Sequence, residues 1–279
     1  MTEQLPDWAV GLTDLHVHAS PSLLPRHGDD RETIAQARSM GFETLVLKSH
    51  EGSTVERALA LGDGTLGGIV LNSPLGGANP DAVEVAARLG GRVVWMPTVS
   101  APTHKLAAIH AELSVHAGFS LSQVEVFDES GALLPAWHEV LDIVAAHDLL
   151  LVSGHLSAQE TVTLFTAARE HGVQRLLVNH PKMAFLGWHE QAAGHLRRLE
   201  ARLELGILPD LLGDADHASM LLLNEYPHEL LVFGADLGHA DHPDLPAALP
   251  PWLRALEGRI GATAAAAIMG RQGRELVSS

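Results

Sequence analysis

The chain has 279 residues, 46% of them hydrophobic, so it is long enough to bury a large core, and its formal net charge is −16. Barrels of alternating strands and helices commonly take about 250 residues as one domain, and we expect a single domain over residues 1–279. The negative charge argues against nucleic-acid or membrane partners, because phosphates bind to clustered Lys and Arg. We expect a small-molecule substrate and a homo-oligomer instead.

Cysteine is absent from the sequence, which excludes disulfides, thiolate metal sites and a cysteine nucleophile. A bound metal would therefore need His, carboxylate or modified Lys ligands. Residues 1–7 show neither the basic nor the apolar part of an export signal, and no run approaches the roughly 20 apolar residues that span a bilayer. These features favour a cytoplasmic protein.

Short β-rich apolar runs alternate with amphipathic, Ala-rich segments along the chain. The predicted strands lie near residues 12–18, 44–50, 68–73, 92–99, 149–155, 175–180, 204–209 and 230–236. Near-continuous apolar strands separated by helices indicate a parallel sheet covered by helices, an α/β fold. Eight strands predict a single (β/α)8 TIM barrel, and the alternative is an open doubly wound sheet.

Helix boundaries are marked by capping residues. Asn79 followed by Pro80 is typical of a helix start, and Ser157 with Glu160 three residues later forms a capping-box pattern. Three glycines are placed to end helices in the left-handed conformation, namely Gly41, Gly90 and Gly172.

The segment 123–131 does not fit the alternation of strands and helices. It has the pattern of a short strand that runs into an Asp, Ser and Gly turn. We predict a small hairpin here, inserted between the fourth and fifth strands. The competing interpretation makes the segment a ninth barrel strand.

Two imidazoles lie two residues apart at the end of the first predicted strand, in Asp14-Leu15-His16-Val17-His18. Residues i and i+2 of a strand share a face, so His16 and His18 can bind one metal ion while Leu15 and Val17 pack the other way. A His-x-His alone is common by chance, and other evidence must decide whether it binds metal.

Metal-competent side chains also end three later strands. His155, His180 and Asp236 each close an apolar run at its C-terminal side. In a (β/α)8 barrel these ends converge on one mouth, where active sites are built. Together with His16 and His18 they therefore predict a metal site at that mouth.

Lysine is rare in this chain, with three residues against fifteen arginines. Lys48 lies at the end of the second predicted strand, on the same face as His50. A lysine amine near metal-bound water can act as a base, or can be carbamylated to give a bridging oxygen ligand. The competing interpretation is a strand-end cation paired with a carboxylate.

The order of these residues resembles the amidohydrolase superfamily of metal-dependent barrel hydrolases, over nearly the whole chain. In that superfamily a His-x-His follows strand one, single histidines follow strands five and six, and an aspartate follows strand eight. Five motifs resemble a functionally uncharacterised branch of it: Asp14-Leu15-His16-Val17-His18, Leu47-Lys48-Ser49-His50, Trp95-Met96-Pro97-Thr98, Gly154-His155-Leu156-Ser157 and Asn179-His180-Pro181.

The chain departs from the best-known binuclear members of that superfamily, which carry a bridging carbamylated Lys or a Glu after strand four. Here the fourth strand ends Trp95-Met96-Pro97-Thr98-Val99. Lys48 takes the bridging role from strand two, or Lys105 reaches in from the loop, or the site holds one metal. We favour Lys48, because it lies within a strand whose direction is fixed.

These patterns assign provisional roles to the site residues. The expected metal ligands are His16, His18, Lys48, His155, His180 and Asp236, holding one or two divalent ions, with zinc preferred and manganese, iron or nickel as alternatives. The expected catalytic residues are Asp236, which would move the proton of the attacking water, and His180, which would bind a second ion or orient the substrate. The expected substrate-binding or proton-shuttling residues are His50, His104, Arg26 and His239.

The leading hypothesis is a metal-dependent hydrolase that acts on an amide, a cyclic amide or a lactone. A phosphoesterase or a decarboxylase on the same barrel comes second. A catalytically silent barrel that binds a metal or a metabolite comes third. The acidic surface makes a TatD-like nuclease the least favoured enzyme.

Overall fold

The computed structural model describes residues 5–62, 64–109, 121–212 and 216–278. Its strands are β1 (Leu12–Val17), β2 (Phe42–Leu47), β3 (Thr65–Leu66), β4 (Gly68–Val70), β5 (Val93–Trp95), β6 (Leu150–Val152), β7 (Arg175–Val178), β8 (Arg202–Leu205) and β9 (Leu231–Phe233). Its helices are α1 (Asp30–Ser39), α2 (Val55–Leu61), α3 (Pro80–Arg88), α4 (Pro102–Ile109), α5 (Pro135–Ala146), α6 (Ala158–Glu170), α7 (Glu190–Arg198), α8 (Ile207–Leu212), α9 (Leu222–Glu225), α10 (Leu245–Ile260), α11 (Ala262–Ala266) and α12 (Gln272–Val277).

The sheet is parallel throughout, and its strands pair in chain order. β1, β2 and β3 form one run of paired strands, and β4 to β9 form the other. Gly67 alone separates β3 from β4, so the two short strands act as one barrel strand with a break. A Cβ at Gly67 would lie 2.5 Å from the carbonyl oxygen of Thr54, which explains why a glycine stands at the break.

The barrel closes between β1 and the segment that follows β9. Val17 forms a parallel bridge with Leu237, and the amide of Asp236 donates to the carbonyl oxygen of His16 at 3.0 Å. With β3 and β4 counted as one, eight strands complete the ring, as the sequence predicts. The closure places the residue after β9 directly beside the histidines of β1.

Apolar side chains fill the barrel beneath its mouth. One face of the strands supplies a packed interior cluster that includes Val46, Val70, Trp95, Val152 and Val232. Leu276 and Val277 of α12 join this cluster and close the N-terminal end of the barrel. A larger apolar cluster packs the opposite faces of the strands against the helices. Polar side chains inside the barrel are thus forced toward the C-terminal mouth.

The predicted capping residues act as expected. The side chain of Asn79 accepts from the amide of Ala82 at the start of α3, and Ser157 and Glu160 form a reciprocal capping box at α6. The three helix-ending glycines have positive φ, at 89° for Gly41, 95° for Gly90 and 86° for Gly172.

The predicted strands run one to four residues past their observed C-terminal ends, and the seventh runs into a helix. The seventh strand was expected at 204–209, but β8 spans Arg202–Leu205 and residues from Ile207 onward form α8. The run from Leu203 to Pro209 is almost continuously apolar, and such a run does not distinguish a buried strand from a buried helix.

The predicted hairpin is present between β5 and β6. Phe127 and Leu133 form an antiparallel bridge, and the amide of Leu134 donates to the carbonyl oxygen of Val126 at 3.0 Å. Asp128 accepts from the amide of Ser130 at 2.8 Å and thereby fixes the turn. The segment lies outside the barrel sheet, so the alternative of a ninth barrel strand is wrong.

Within the described ranges, no helix is both long and apolar enough to cross a bilayer. Of the N-terminal segment expected to lack an export signal, residues 1–4 lie outside the described part of the chain.

Candidate metal centre

Three of the predicted ligands converge where β1 meets the end of β9. His16 Nε2 lies 3.0 Å from Asp236 Oδ1, and His18 Nε2 lies 3.2 Å from the same oxygen. One ligand atom from each residue lies within 4.8 Å of the others. The His-x-His of β1 and the carboxylate after β9 therefore share one point in space.

In both histidines the second ring nitrogen, Nδ1, lies within hydrogen-bond distance of a protein oxygen. His18 Nδ1 lies 3.1 Å from the carbonyl oxygen of Lys48, which can only accept, so Nδ1 donates and Nε2 keeps its lone pair. His16 Nδ1 lies 3.1 and 3.2 Å from the two carboxylate oxygens of Glu204. Metal-binding histidines have this arrangement, which orients the ring and increases its basicity. The donor set thus fits a divalent ion of the zinc type.

The charges of the site favour a cation at the same point. Burial acts to lower the pKa of His16, but the carboxylates of Asp236 and Glu204 outweigh it and raise that pKa to about 9. Burial acts to raise the pKa of Asp236, but His16, His18 and His180 hold it well below its usual value. Without a metal, a proton on His16 supplies the positive charge that these carboxylates attract.

Glu204 is the site residue that the sequence interpretation missed. Its side chain lies inside the barrel on β8 and is 1% exposed. Besides holding His16, it accepts from the backbone amide of His180 at 3.0 Å. The expected strand began at Glu204, whereas ligands were sought at strand C-termini. The available signal was an acidic residue between two leucines, since a buried charge needs a partner.

Gly234 makes room for the Glu204 carboxylate. A Cβ at Gly234 would lie 2.4 Å from Glu204 Oε2. We expect Gly234→Ala to lower the free energy of unfolding by about 1–3 kcal/mol and to weaken zinc binding, because Glu204 must move away from His16. Thermal unfolding and zinc titration measure both effects.

Gly258→Ala is the matched control. Gly258 lies near the end of α10, where an added Cβ meets no described atom within 4 Å. Alanine should stabilise this helix by about 0.5–1 kcal/mol and leave zinc binding unchanged. Equal behaviour of the two variants would contradict the role of Gly234.

His180 and Asp236 share an unusual backbone conformation, with φ of 33° and 55°. Such angles are uncommon for residues with a side chain and often accompany functional sites. The other non-glycine residues described with positive φ, Asp148 and Glu200, follow helices as turn residues. His180 Nε2 lies 4.0 Å from Asp236 Oδ2, and its buried Nδ1 has no hydrogen-bond partner among the described residues.

His155 lies beside His180 rather than in the group formed with Asp236. The ring centroids of His155 and His180 are 5.1 Å apart, and the ring of His50 lies 6.1 Å from that of His155. His104 stacks on His155 with its Nδ1 2.7 Å from His155 Nδ1. Burial lowers the pKa of His180 to about 3, so this ring is neutral and can act as a ligand.

Lys48 lies next to the convergent group. Its Nζ is 2.9 Å from His16 Nε2 and 5.9 Å from the ring centroid of Trp95, and its side chain is 1% exposed. Burial lowers the pKa of Lys48 to about 8, although Asp236 and Glu204 oppose the shift. Trp95, at the end of the fourth barrel strand, thus faces Lys48 with its ring.

A pocket opens above these residues at the barrel mouth. Among the predicted site residues, all but His16 and His104 line it. His16 is fully buried, and His104 contacts His155, which lines the pocket. Lys105, the alternative bridging residue, lies on α4 and is not among the described lining residues.

Solved structures share this fold. An amidohydrolase from Pseudomonas aeruginosa aligns with a TM-score of 0.67 at 11% identity over 98% of both chains. A protein assigned as a 2-pyrone-4,6-dicarboxylic acid hydrolase from Pseudomonas putida aligns at 0.65 and 14% identity, over 96% of this chain and 97% of that one. A TatD homolog from Escherichia coli aligns at 0.61 and 14% identity, over 96% and 98%. The predicted α/β barrel is thereby confirmed as the fold.

The sequence itself gives a narrower assignment. The model of DUF6282, a family of unknown function, matches residues 11–204, which is more than half of the chain. The chain belongs to this family. No curated protein matches it. The predicted resemblance to a functionally uncharacterised branch is consistent with this membership.

Proposed function

We propose that the chain is a metal-dependent hydrolase that activates water at the C-terminal mouth of its barrel. One observation carries the proposal. His16 Nε2 and His18 Nε2 point at the same oxygen of Asp236 below a pocket, while protein acceptors hold both Nδ1 atoms. This donor set is suited to binding a metal ion that faces a substrate.

A divalent ion bound there would lower the pKa of a water molecule and polarise the scissile bond. Asp236 has two oxygens in different surroundings. Oδ1 lies against His16 and His18, whereas Oδ2 faces His180 at 4.0 Å. Oδ2 is therefore placed to take a proton from the attacking water and return it to the leaving group, and the low pKa of Asp236 keeps it ionised at the start.

His16, His18 and Asp236 would hold the first ion. His155 and His180 are candidates for a second ion, because their rings are adjacent. Lys48, next to His16 Nε2, is the candidate bridging ligand. We propose zinc, since thiol-free, histidine-rich ligation suits it, although the same ligands also suit manganese, iron and nickel.

We propose an amide, a cyclic amide or a lactone as the substrate. The relative from Pseudomonas putida supports a lactone, because a 2-pyrone is a cyclic ester. A cytoplasmic location and a homo-oligomeric state remain predictions from the sequence.

The test is metal content together with turnover. The purified protein is stripped with a chelator, reloaded with zinc or manganese, and assayed on amides, cyclic amides, lactones and phosphomonoesters. We expect at least one bound ion per chain and metal-dependent turnover of a carbonyl substrate. Failure to bind an ion would contradict the proposal. Turnover of phosphomonoesters alone would favour a phosphoesterase, and bound metal without turnover would favour a binding protein.

A further inference from the structure

Arg26 brings a guanidinium into the pocket without a carboxylate beside it. It lies in the loop between β1 and α1, and it lines the pocket together with Lys48 and Asp236. Within the described chain, no carboxylate oxygen lies within 4.0 Å of its nitrogens. Its Nε donates to Ser22 Oγ at 3.3 Å, and its Nη2 lies 3.4 Å from His18 Nδ1.

The contact with His18 does not satisfy the guanidinium. His18 Nδ1 already donates to the carbonyl oxygen of Lys48 at 3.1 Å when His18 Nε2 is the metal-binding atom. In that state Nη2 of Arg26 faces another donor. The two terminal amino groups of Arg26 then lack an acceptor in the part of the chain that the structure describes. The Arg26 side chain is half-buried at the pocket, and these amino groups are available to donate charge-assisted hydrogen bonds to a bound anion.

Glu51 and Asp236 are the acidic residues whose charges act on Arg26, and other donors occupy the Glu51 carboxylate. It accepts from Ser22 Oγ at 2.8 Å, from the amide of Leu23 at 2.7 Å and from Ser49 Oγ at 2.5 Å. Burial acts to raise the pKa of Glu51, but these hydrogen bonds lower it below its usual value. Glu51 thus fixes the loop that carries Arg26 and leaves the guanidinium open toward the pocket.

The backbone of Arg26 is held over the pocket by the loop after β9. Arg26 and His239 form an antiparallel bridge. The amide of His27 donates to the carbonyl oxygen of Gly238 at 3.0 Å, and the amide of Ala240 donates to that of Pro25 at 3.1 Å. Asp236 lies in the same segment after β9 that makes these backbone contacts. The fold therefore sets the distance between the Arg26 guanidinium and Asp236.

Part of the pocket lining is apolar. Met183, Phe185 and Leu208 line it, and the ring of Phe185 packs edge-on against His155 with centroids 5.5 Å apart. A ligand that fills the pocket therefore meets both a cation and apolar side chains.

We propose that Arg26 binds a carboxylate of the substrate, and that the substrate is a small carboxylic acid whose apolar part packs against Met183, Phe185 and Leu208. The place of the reacting bond rests on the proposed hydrolase function, whereas carboxylate binding by Arg26 does not. A planar guanidinium fork matches a carboxylate with two parallel hydrogen bonds. A singly charged group also suits the single guanidinium that lines the described pocket.

Benzoate and its neutral near-isostere benzamide test the proposal. Their affinities are measured by calorimetry on the zinc-loaded and on the metal-free protein. We expect benzoate to bind at least about tenfold more tightly in both forms, as charge-assisted hydrogen bonds allow. Arg26→Met should remove this preference, and Arg26→Lys should keep part of it. Arg88→Met is the matched control, because the Arg88 side chain is 75% exposed at the end of α3, away from the mouth.

Three results would overturn the proposal. The first is an equal affinity of the unsubstituted protein for benzoate and benzamide. The second is a benzoate preference that survives Arg26→Met in a protein whose circular dichroism is unchanged. If metal removal then abolishes this preference, the carboxylate binds at the ion and not at Arg26. The third is tighter, Arg26-dependent binding of phenyl phosphate, which would replace the carboxylate with a phosphate.

Metal content separates this inference from the proposed function. A protein that binds no zinc but keeps an Arg26-dependent preference for benzoate would refute the hydrolase and leave the carboxylate site standing. A zinc-loaded enzyme that hydrolyses neutral lactones as efficiently as lactones bearing a carboxylate would support the hydrolase and overturn the substrate class.

Discussion

Asp236→Asn should keep a bound ion and lower turnover by about 10²–10⁴-fold, the usual contribution of a positioned acid–base group. Asparagine retains an oxygen that can face His16 and His18, which lie 3.0 and 3.2 Å from Asp236 Oδ1. It cannot take a proton from water at the second position. The loss should therefore appear in kcat, while the zinc content per chain stays close to that of the unsubstituted protein.

Asp241→Asn is the matched control for this experiment. Asp241 lies in the same segment after β9, but its side chain is 83% exposed and lies 3.8 Å from His239 Nδ1. The same chemical change there should leave kcat within about twofold, since exposed charges contribute little. Unchanged kcat in Asp236→Asn would refute its role in proton transfer. Loss of zinc together with activity would show that its main role is as a ligand.

The fold could be predicted because its signals are local. Apolar runs separated by helices predict parallel strands, and Asn79 and Ser157 mark helix starts through bonds to residues a few positions away. The boundary of β8 could not be predicted, because the apolar run that contains it continues into α8 and composition does not change where the backbone does.

The convergent part of the site could be predicted because it follows from topology. His16, His18 and Asp236 stand at strand ends, and the ends of a closed parallel barrel meet at one mouth. Lys48 was identified by its rarity and by its strand face. The contacts between individual side chains could not be predicted in this way. The contact of His104 with His155 depends on the path of α4, which alternation alone does not specify.

Glu204 is the clearest example of a site residue whose contacts could not be predicted from the sequence. It lies within a strand and contacts His16 across 188 positions of the chain. Its place also depends on Gly234 of the neighbouring segment, which leaves space for the carboxylate. An acidic residue between two leucines marks Glu204 as unusual, but only the register between β8 and the end of β9 reveals that it lies against Gly234.

Glu204→Gln should weaken zinc binding by about 10–100-fold, the usual effect of removing a group that orients a metal-binding histidine. The amide oxygen of glutamine can still accept from the backbone amide of His180, which is 3.0 Å from Glu204 Oε1, so the fold should persist. That oxygen also keeps one acceptor 3.1 Å from His16 Nδ1, but the amide nitrogen would take the place of Oε2, 3.2 Å from the same atom, and would set a donor against it. Glu229→Gln, an exposed position in the turn before β9, is the control.

The loss of zinc affinity caused by Glu204→Gln should depend on the pH of the measurement. In the metal-free protein the pKa of His16 is raised to about 9, partly by Glu204, so a proton competes with zinc below that pH and zinc affinity rises as the pH approaches 9. Glutamine removes one carboxylate and lowers this pKa, which reduces proton competition near neutral pH and offsets part of the lost affinity. Chelator competition should therefore show a larger difference between the unsubstituted protein and the Glu204→Gln variant at pH 9 than at pH 7. Equal zinc affinities at pH 9 would mean that Glu204 supports the barrel interior without acting on the ion.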